Sequence, residues 1–581
     1  MALFTPSESP AVVVKEIDLT SGVPNVQSST GAFVGNFRWG PVGERVSISD
    51  EDGLADRFGT PDASNGRDID FVSAAQFLRY SNSLQVVRET TAAAKNSVYA
   101  AGQSTSGSIT AATVNNKTAF DNQISSLDSD KHVFIGRFPG VLGNSIRVSV
   151  WDSSDLTNWT YASSFDAAPG TSTYASNRSA SNDEMHVAVV DQDGLLTGTS
   201  GTILERYPFV SKATDAKNTD GTTNYVKDII NERSEYIYMV DFDSDFQAVG
   251  AGTAVDSAEN FARTTRSVTH YDLTLGVNSG TITASDYATG FDLFEDKDNV
   301  EVDFLIAPGM VSTTDQTTVV NDLISIAGTT RKDCVVVASP ARDDVVNLTS
   351  AASITTNIVA TADTFTNSSY LIMDGNYLKV YDKFNDQFIQ IPASSSTAGI
   401  MAATDRNAAP WFSPAGSRRG TYLGITSIDY TPTKAQRDTL YKASVNPIAN
   451  IPGQGILLFG DKTGLARPSA FDRINVRRLF LVLERAISRA AESVLFEFND
   501  EFTRAEFVNI VEPVLREVKG RRGITDFKVV CDETNNTAAV IDRNEFIASI
   551  FIKPARSVNF VTLNFVAVRT GVDFEEVVGT V

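Results

Sequence analysis

Cysteine and histidine are almost missing: 581 residues hold two of the first and three of the second. Cys334 and Cys531 stand far apart, each in an apolar run. That excludes a disulfide framework and reads both as small core hydrophobes. His132, His186 and His270 are isolated from one another and from both cysteines. No pairing has the close ligand spacing of a zinc site. Each reads as surface or core filler, and a histidine-dependent triad has few candidates. Long apolar runs are missing too, none approaching the ~18 residues of a membrane span. Met1 to Pro10 has neither the basic nor the apolar region of a signal peptide. The expectation is a soluble chain made in a reducing compartment, with no metal, no cofactor and no membrane insertion.

Basic residues are the minority charge, 49 Lys plus Arg against 71 Asp plus Glu, for a net −22. That balance argues against a broad nucleic-acid or anionic-membrane surface. The apolar fraction, 42%, is too high for a disordered acidic chain. The length suggests about three to four domains. Catalytic motifs are sparse. Gly455 to Thr463 nearly spells a phosphate-binding loop, but Asp461 intervenes before Lys462 and would repel phosphate. Its Ile-Leu-Leu-Phe also reads as a buried strand. Asp241, Asp243 and Asp245 begin like a calcium loop, yet Phe246 stands where glycine is needed and Gly252 where a bidentate Glu is needed.

Strand signals fall on Ala32–Val34, Val46–Ile48 and Leu84–Val87, with an amphipathic helix around 71–80. From about 91 to 130 the composition shifts to Ala, Ser, Thr, Gly and Asn, as in an inserted module or a surface segment. Further strands are expected at Val133–Ile135 and Ile146–Val150. Residues 302–338 read strand–helix–strand, a parallel pairing whose carboxyl end could host a ligand. There the chain offers Ala307-Pro308-Gly309-Met310, with no acid, base or nucleophile. An α/β enzyme built on this layer is the competing functional class. Arg473 to Phe498 reads as one long helix, its apolar stripe running from Val476 through Phe480, Leu483 and Ile487 to Val494 and Phe498. The opposite side carries Arg477, Arg478, Arg485 and Arg489. A second helix follows the capping pair Asn499-Asp500.

The ends and the charges point toward assembly. Ala11 to Leu19 is a short β-type run with Val12, Val14, Ile17 and Leu19. Strand-like runs close the chain at 527–532, 545–553 and 558–569, before a tail with Val572, Phe574, Val577 and Val578. Such strands either pair internally or, in a protein built to assemble, accept a neighbour's strand. Residues 286–303 hold seven acids and one Lys, while 462–490 hold seven bases and two acids. Opposed patches suit head-to-tail contacts. Two separate solvated faces would serve as well.

Several blocks are longer and more unusual than these patterns. They include Phe37-Arg-Trp-Gly-Pro41, Gln85-Val-Val-Arg88, Ala409-Pro-Trp-Phe-Ser-Pro-Ala-Gly416, Asn446-Pro-Ile448 and Gly460-Asp-Lys-Thr463. Phe471 to Phe480, Cys531 to Thr537, Val540 to Phe546, Pro554 to Ser557, Asn564 to Val566 and Gly571 to Phe574 continue them. In these blocks the chain resembles the contractile tail sheath proteins of myophages, T-even-like ones in particular. The resemblance covers most of the chain and is densest over 370–581. It departs at about 91–130, where T-even-like sheaths carry a larger outward-facing insertion.

The resemblance implies a mixed α/β and α+β multidomain fold. Its parts would be an N-terminal arm (1–22), an outer domain (23–90 and 131–365), a small inserted surface module (91–130), an inner C-terminal domain (366–570) and a C-terminal arm (571–581). It implies a non-enzymatic subunit that stacks as six-fold discs around a tail tube and contracts to drive the tube through the host envelope. A phage-derived injection device is the close alternative. Partners would be copies of itself, the tail tube protein, the baseplate and the tail terminator, with no nucleic acid. The site would be the virion tail, and the host cytoplasm during assembly. Val12, Val14, Ile17, Leu19, Val572, Phe574, Val577 and Val578 become donated arms on this analogy. Phe546, Ile550, Phe551, Val561, Leu563 and Phe565 become the accepting sheet. Arg516, Lys519, Arg521 and Arg522 are candidate contacts to the tube; as plain helix-end cations they would also be favourable.

Overall fold

The computed structural model describes residues 29–100, 110–129, 131–255, 259–263 and 269–558. The expected arms, together with Val561, Leu563 and Phe565, lie outside them. The chain falls into two compact units. Among the described residues, the larger takes those from 29 to Pro410 and Pro414–Ala486, the smaller Trp411–Ser413 and those from Ile487 on.

The larger unit opens with β1 (Gly31–Gly35), β2 (Arg45–Ile48), α1 (Glu51–Phe58), α2 (Arg67–Leu78) and β3 (Leu84–Arg88). β1 and β3 are parallel, and β2 runs antiparallel to β3. The chain then leaves this sheet for about two hundred residues. It forms β4 (Val98–Ala100), α3 (Lys117–Ser129), β5 (His132–Gly136), β6 (Ile146–Trp151) and α4 (Thr173–Ser176). β7 (Glu184–Asp191), β8 (Thr202–Ser211), α5 (Val226–Arg233), β9 (Ile237–Met239), α6 (Ser244–Gln247) and β10 (Thr269–Asp272) follow. These strands make two antiparallel sheets, ordered β10-β6-β7-β8 and β4-β5-β9.

The described residues of 91–130 therefore do not stand as a module of their own. β4 pairs with β5, and Phe120 of α3 stacks on Tyr238 of β9 at 4.2 Å. Val98, Phe120, Ile135 and Tyr238 share one core, which a separate module could not complete. The excursion from the first sheet reaches on to β10.

The chain returns through α7 (Ala284–Asp292), β11 (Phe304–Ile306), α8 (Thr313–Ser325), β12 (Val335–Ala338), α9 (Ala351–Thr364) and β13 (Leu371–Asp374). Next come β14 (Tyr377–Asp382), β15 (Gln387–Pro392), α10 (Ser394–Asn407), β16 (Ser427–Ile428), α11 (Lys434–Lys442) and β17 (Val445–Asn446). The hairpin β18 (Ile448–Ile451)–β19 (Gly455–Leu458) precedes α12 (Ile474–Glu492). The main sheet is ordered β17-β13-β12-β11-β1-β3-β2. The strand–helix–strand expected over 302–338 is there, with β11 and β12 parallel. Both faces are covered: Ala32, Leu305 and Val336 enter one core, Phe33, Phe304 and Val335 the other. A boundary near 365 would cut this sheet, since β13 pairs with β12 and β17.

The smaller unit contains the end of α12, α13 (Glu501–Gly520), β20 (Ile524–Val530), α14 (Ala538–Ile541) and β21 (Ser549–Pro554). Asp500 caps α13 by accepting from the Thr503 amide, as its position suggests. α12 is shorter than its stripe. It stops at Glu492, because the chain turns there with Phe496 at φ +71°. The Asn499 side chain also donates to the Glu545 carbonyl and to Asn536, bonds that continued helix would forgo.

Candidate functional site

The carboxyl ends of parallel strands are where α/β sheets bind ligands. Here that end is filled by the chain itself. Ser339, after β12, donates to Asp374 at the end of β13 (2.8 Å), and Thr397 of α10 donates to the other carboxylate oxygen (2.9 Å). The Ser394 hydroxyl reaches the Ala307 carbonyl. Gln316 donates to the Pro308 and Ser339 carbonyls and accepts from the Met310 amide. Each of these side chains is buried, and burial pushes the Asp374 carboxyl up to about 7. The near phosphate loop is equally occupied. Gly455–Leu458 is strand β19, and Asp461 is held by Arg473 (2.8 Å) and by the Tyr441 hydroxyl (3.0 Å).

The unusual sequence blocks meet in two clasps. Arg88, fully buried, donates to the carbonyls of Phe37, Gly40 and Pro139 at 3.0, 2.7 and 2.7 Å. Burial lowers its guanidinium to about 9. It fastens two loops that lie about a hundred residues apart in the chain. The second clasp surrounds the start of α12. Asn446 donates to the Met373 and Lys462 carbonyls and accepts from the Lys462 amide. Gly460 permits this approach, since a Cβ there would stand 2.7 Å from the Asn446 side-chain oxygen. Thr463 closes onto the Phe471 carbonyl at 2.7 Å.

The arginines of α12 are not a solvated face. Arg477 donates to Ser369 and lies over the rings of Tyr370 and Phe471. Arg478 pairs with Asp405, both nearly buried. Arg485 pairs with Asp303 at 2.7 Å and donates to the Asp333 carbonyl. Asp303 belongs to the acidic stretch and Arg485 to the basic one. One pair thus joins the two stretches inside one copy, where a charge otherwise left unpaired would be costly, while Asp292, Glu295, Asp296, Asp298 and Glu301 of the acidic stretch stay exposed.

In the smaller unit, Ile550 and Phe551 lie on β21, and Phe551 is exposed. Phe546 precedes the strand and packs edge-on against Phe507. β20 and β21 pair with each other along Ile524–Val530, and among the described residues neither strand has a second partner. Arg516, Lys519 and Arg521 sit at the end of α13, paired with Glu512, Asp526 and Glu517. Arg522 follows at φ +66°. Trp411 stacks under Arg521 and donates to its carbonyl at 3.2 Å, a contact only tertiary structure reveals. The pattern also hid the exposure of Leu495, Phe496 and Phe502.

Residues 280–464 match the phage tail sheath protein central domain, and residues 466–567 the phage tail sheath C-terminal domain. The chain is 33% identical to the tail sheath protein of Enterobacteria phage T4, over 98% of this chain and 99% of that one. It belongs to the phage tail sheath protein family. Tail sheath proteins of Vibrio phage KVP40 and Salmonella phage ViI are each 31% identical, over 98% and 99% of this chain and 99% and 98% of theirs. A solved sheath tail protein from Listeria innocua, 12% identical, shares the fold with a TM-score of 0.53 over 91% of this chain and 96% of that one. Sheath proteins are structural components of the phage tail and not enzymes. That membership gives the filled sheet crevice and the missing catalytic motifs their common explanation.

Proposed function

We propose that the protein polymerises as stacked six-fold discs around a tail tube and contracts to drive the tube through the host envelope. Its partners are then further copies of itself, the tail tube protein, the baseplate and the tail terminator, with the subunits in the host cytoplasm during assembly. The observation that carries this reading is the two-stranded sheet β20–β21. Two strands alone are marginal in water, and among the described residues no further strand covers their outer edges. Strands from neighbouring copies would complete it: Val12, Val14, Ile17 and Leu19 from one arm, Val572, Phe574, Val577 and Val578 from the other. Ile550 and Phe551 would lie on the accepting side, with Val561, Leu563 and Phe565 in the strand-like run that follows.

A device of this kind stores free energy in its interfaces behind a kinetic barrier, and its stroke needs no nucleotide. The test is electron microscopy of the purified full-length chain, where striated tubes should form without nucleotide. Deleting residues 1–20 should leave folded subunits that form no tubes. Normal tubes from the deletion would refute strand donation, and lasting monomers with nucleotide turnover would refute the whole reading.

A further inference from the structure

The smaller unit leaves large apolar side chains uncovered at one end of α13. In the α12–α13 turn, Leu495, Phe496 and Phe498 are 62%, 105% and 84% exposed, and Phe502, on the first turn of α13, is 77% exposed. Phe496 also holds a left-handed backbone, φ +71°, which a bulky residue seldom adopts without a functional constraint. Such a group marks an interaction surface, unlike apolar residues scattered singly. The same stretch is acidic, with Glu492, Glu497, Asp500 and Glu501 and no base over 492–501. All four acids are exposed.

The other end of α13 carries the opposite charge. Residues 516–522 hold Arg516, Lys519, Arg521 and Arg522 against the single acid Glu517, all exposed. The first three pair with surface acids, Arg521 lying over Trp411 as well, and exposed pairs of that kind contribute little and exchange readily. Twenty helical residues separate the two ends by about 30 Å, so one copy cannot bring them together.

We infer that the α12–α13 turn of one copy docks on the C-terminal end of α13 of a second copy. Acids meet bases, and the phenylalanine rings lie beneath guanidinium and ammonium groups. Each copy gives one surface and receives on another, so the contact propagates into a ring or a helix. This rests on the polymeric reading above and adds to it a contact between side chains, separate from the sheet edges. It also assigns the four bases to a neighbouring copy in place of the tube.

Charge exchange in the full-length chain tests it. Glu497→Arg with Glu501→Arg should raise the concentration needed for tube assembly by about tenfold, and Arg516→Glu with Arg522→Glu should do the same. Mixing the two variants should restore assembly, because each then offers what the other lacks. A second arm avoids charge altogether: Phe498→Cys with Arg522→Cys should give disulfide-linked ladders on oxidation of assembled protein. If the unaltered chain polymerises while mixing fails to rescue and no ladder forms, this contact falls alone. Protection of Phe498→Cys from alkylation by added tube subunit, and not by self-assembly, assigns the surface to the tube and overturns it. If the unaltered chain never polymerises, the polymeric reading falls with it.

Discussion

Arg478 and Arg88 are both buried, and they are satisfied in different ways. Arg478 meets the carboxylate of Asp405, whereas among the described residues Arg88 meets carbonyl oxygens. Asp405→Ala should therefore cost about 3–5 kcal/mol in urea unfolding, since it strands a buried charge. Asp405→Ala combined with Arg478→Met should recover most of that loss, and an equal loss in the double variant would show that the pair is not the cause. Titration works against itself in the larger unit. Asp374 keeps its proton up to about 7 because burial penalises the charge, while unfolded it releases it near 3.9. The folded chain binds the extra proton between those values, so this group's contribution is lost as pH rises from about 4 to 7. His186 has the opposite sign. Burial holds it below its ordinary value, and its Nδ1 accepts from the Phe209 amide. Its contribution is lost as pH falls through about 6.5. Asp374→Asn should lose less stability than the parent between about pH 5 and pH 8 in urea midpoints, and identical losses would discount Asp374.

At the scale of elements, the parallel strands were legible because both faces are apolar: Val335 to Ala338 reads as a strand whichever face is considered. The arginines of α12 were not. A charged helix side looks solvated until its carboxylate partners are known, and these lie 73 and 182 residues away in the chain. Periodicity carried α12 through Phe498 for a related reason, because a repeating stripe holds no stop signal. The signal was the next helix's cap at Asp500. Helix contacts also turn on residues whose role is to be small. A Cβ on Gly399 of α10 would stand 2.4 Å from the Tyr80 ring, and one on Gly290 of α7 would stand 2.5 Å from Val34 of β1. Gly399→Ala should cost about 1–3 kcal/mol in unfolding, the ordinary penalty of overpacking. An unchanged midpoint would mean that Tyr80 moves aside freely.

For the whole molecule, the net charge of −22 is an average over very different places. Arg473, Arg478 and Arg485 of the basic stretch pair with carboxylates inside the larger unit, and the smaller unit keeps opposite charges at the two ends of α13. Hydrogen exchange should report assembly directly. Amides of β20 and β21 that face outward should exchange readily in monomers and become protected in tubes. Equal exchange in both states would leave the strand edges without neighbours.

Trp411 gives the chain a timetable. It belongs to the smaller unit, yet beyond Trp411–Ser413 the described part of that unit runs from Ile487 to Val558. At ordinary synthesis rates the ribosome needs roughly 5–20 s to pass from Trp411 to Arg521. During that interval the indole has neither the Arg521 carbonyl nor the Arg521 guanidinium that will hold it. The smaller unit can thus close only after the larger unit's chain, which ends at Ala486, has been made, and its two-stranded sheet follows later still.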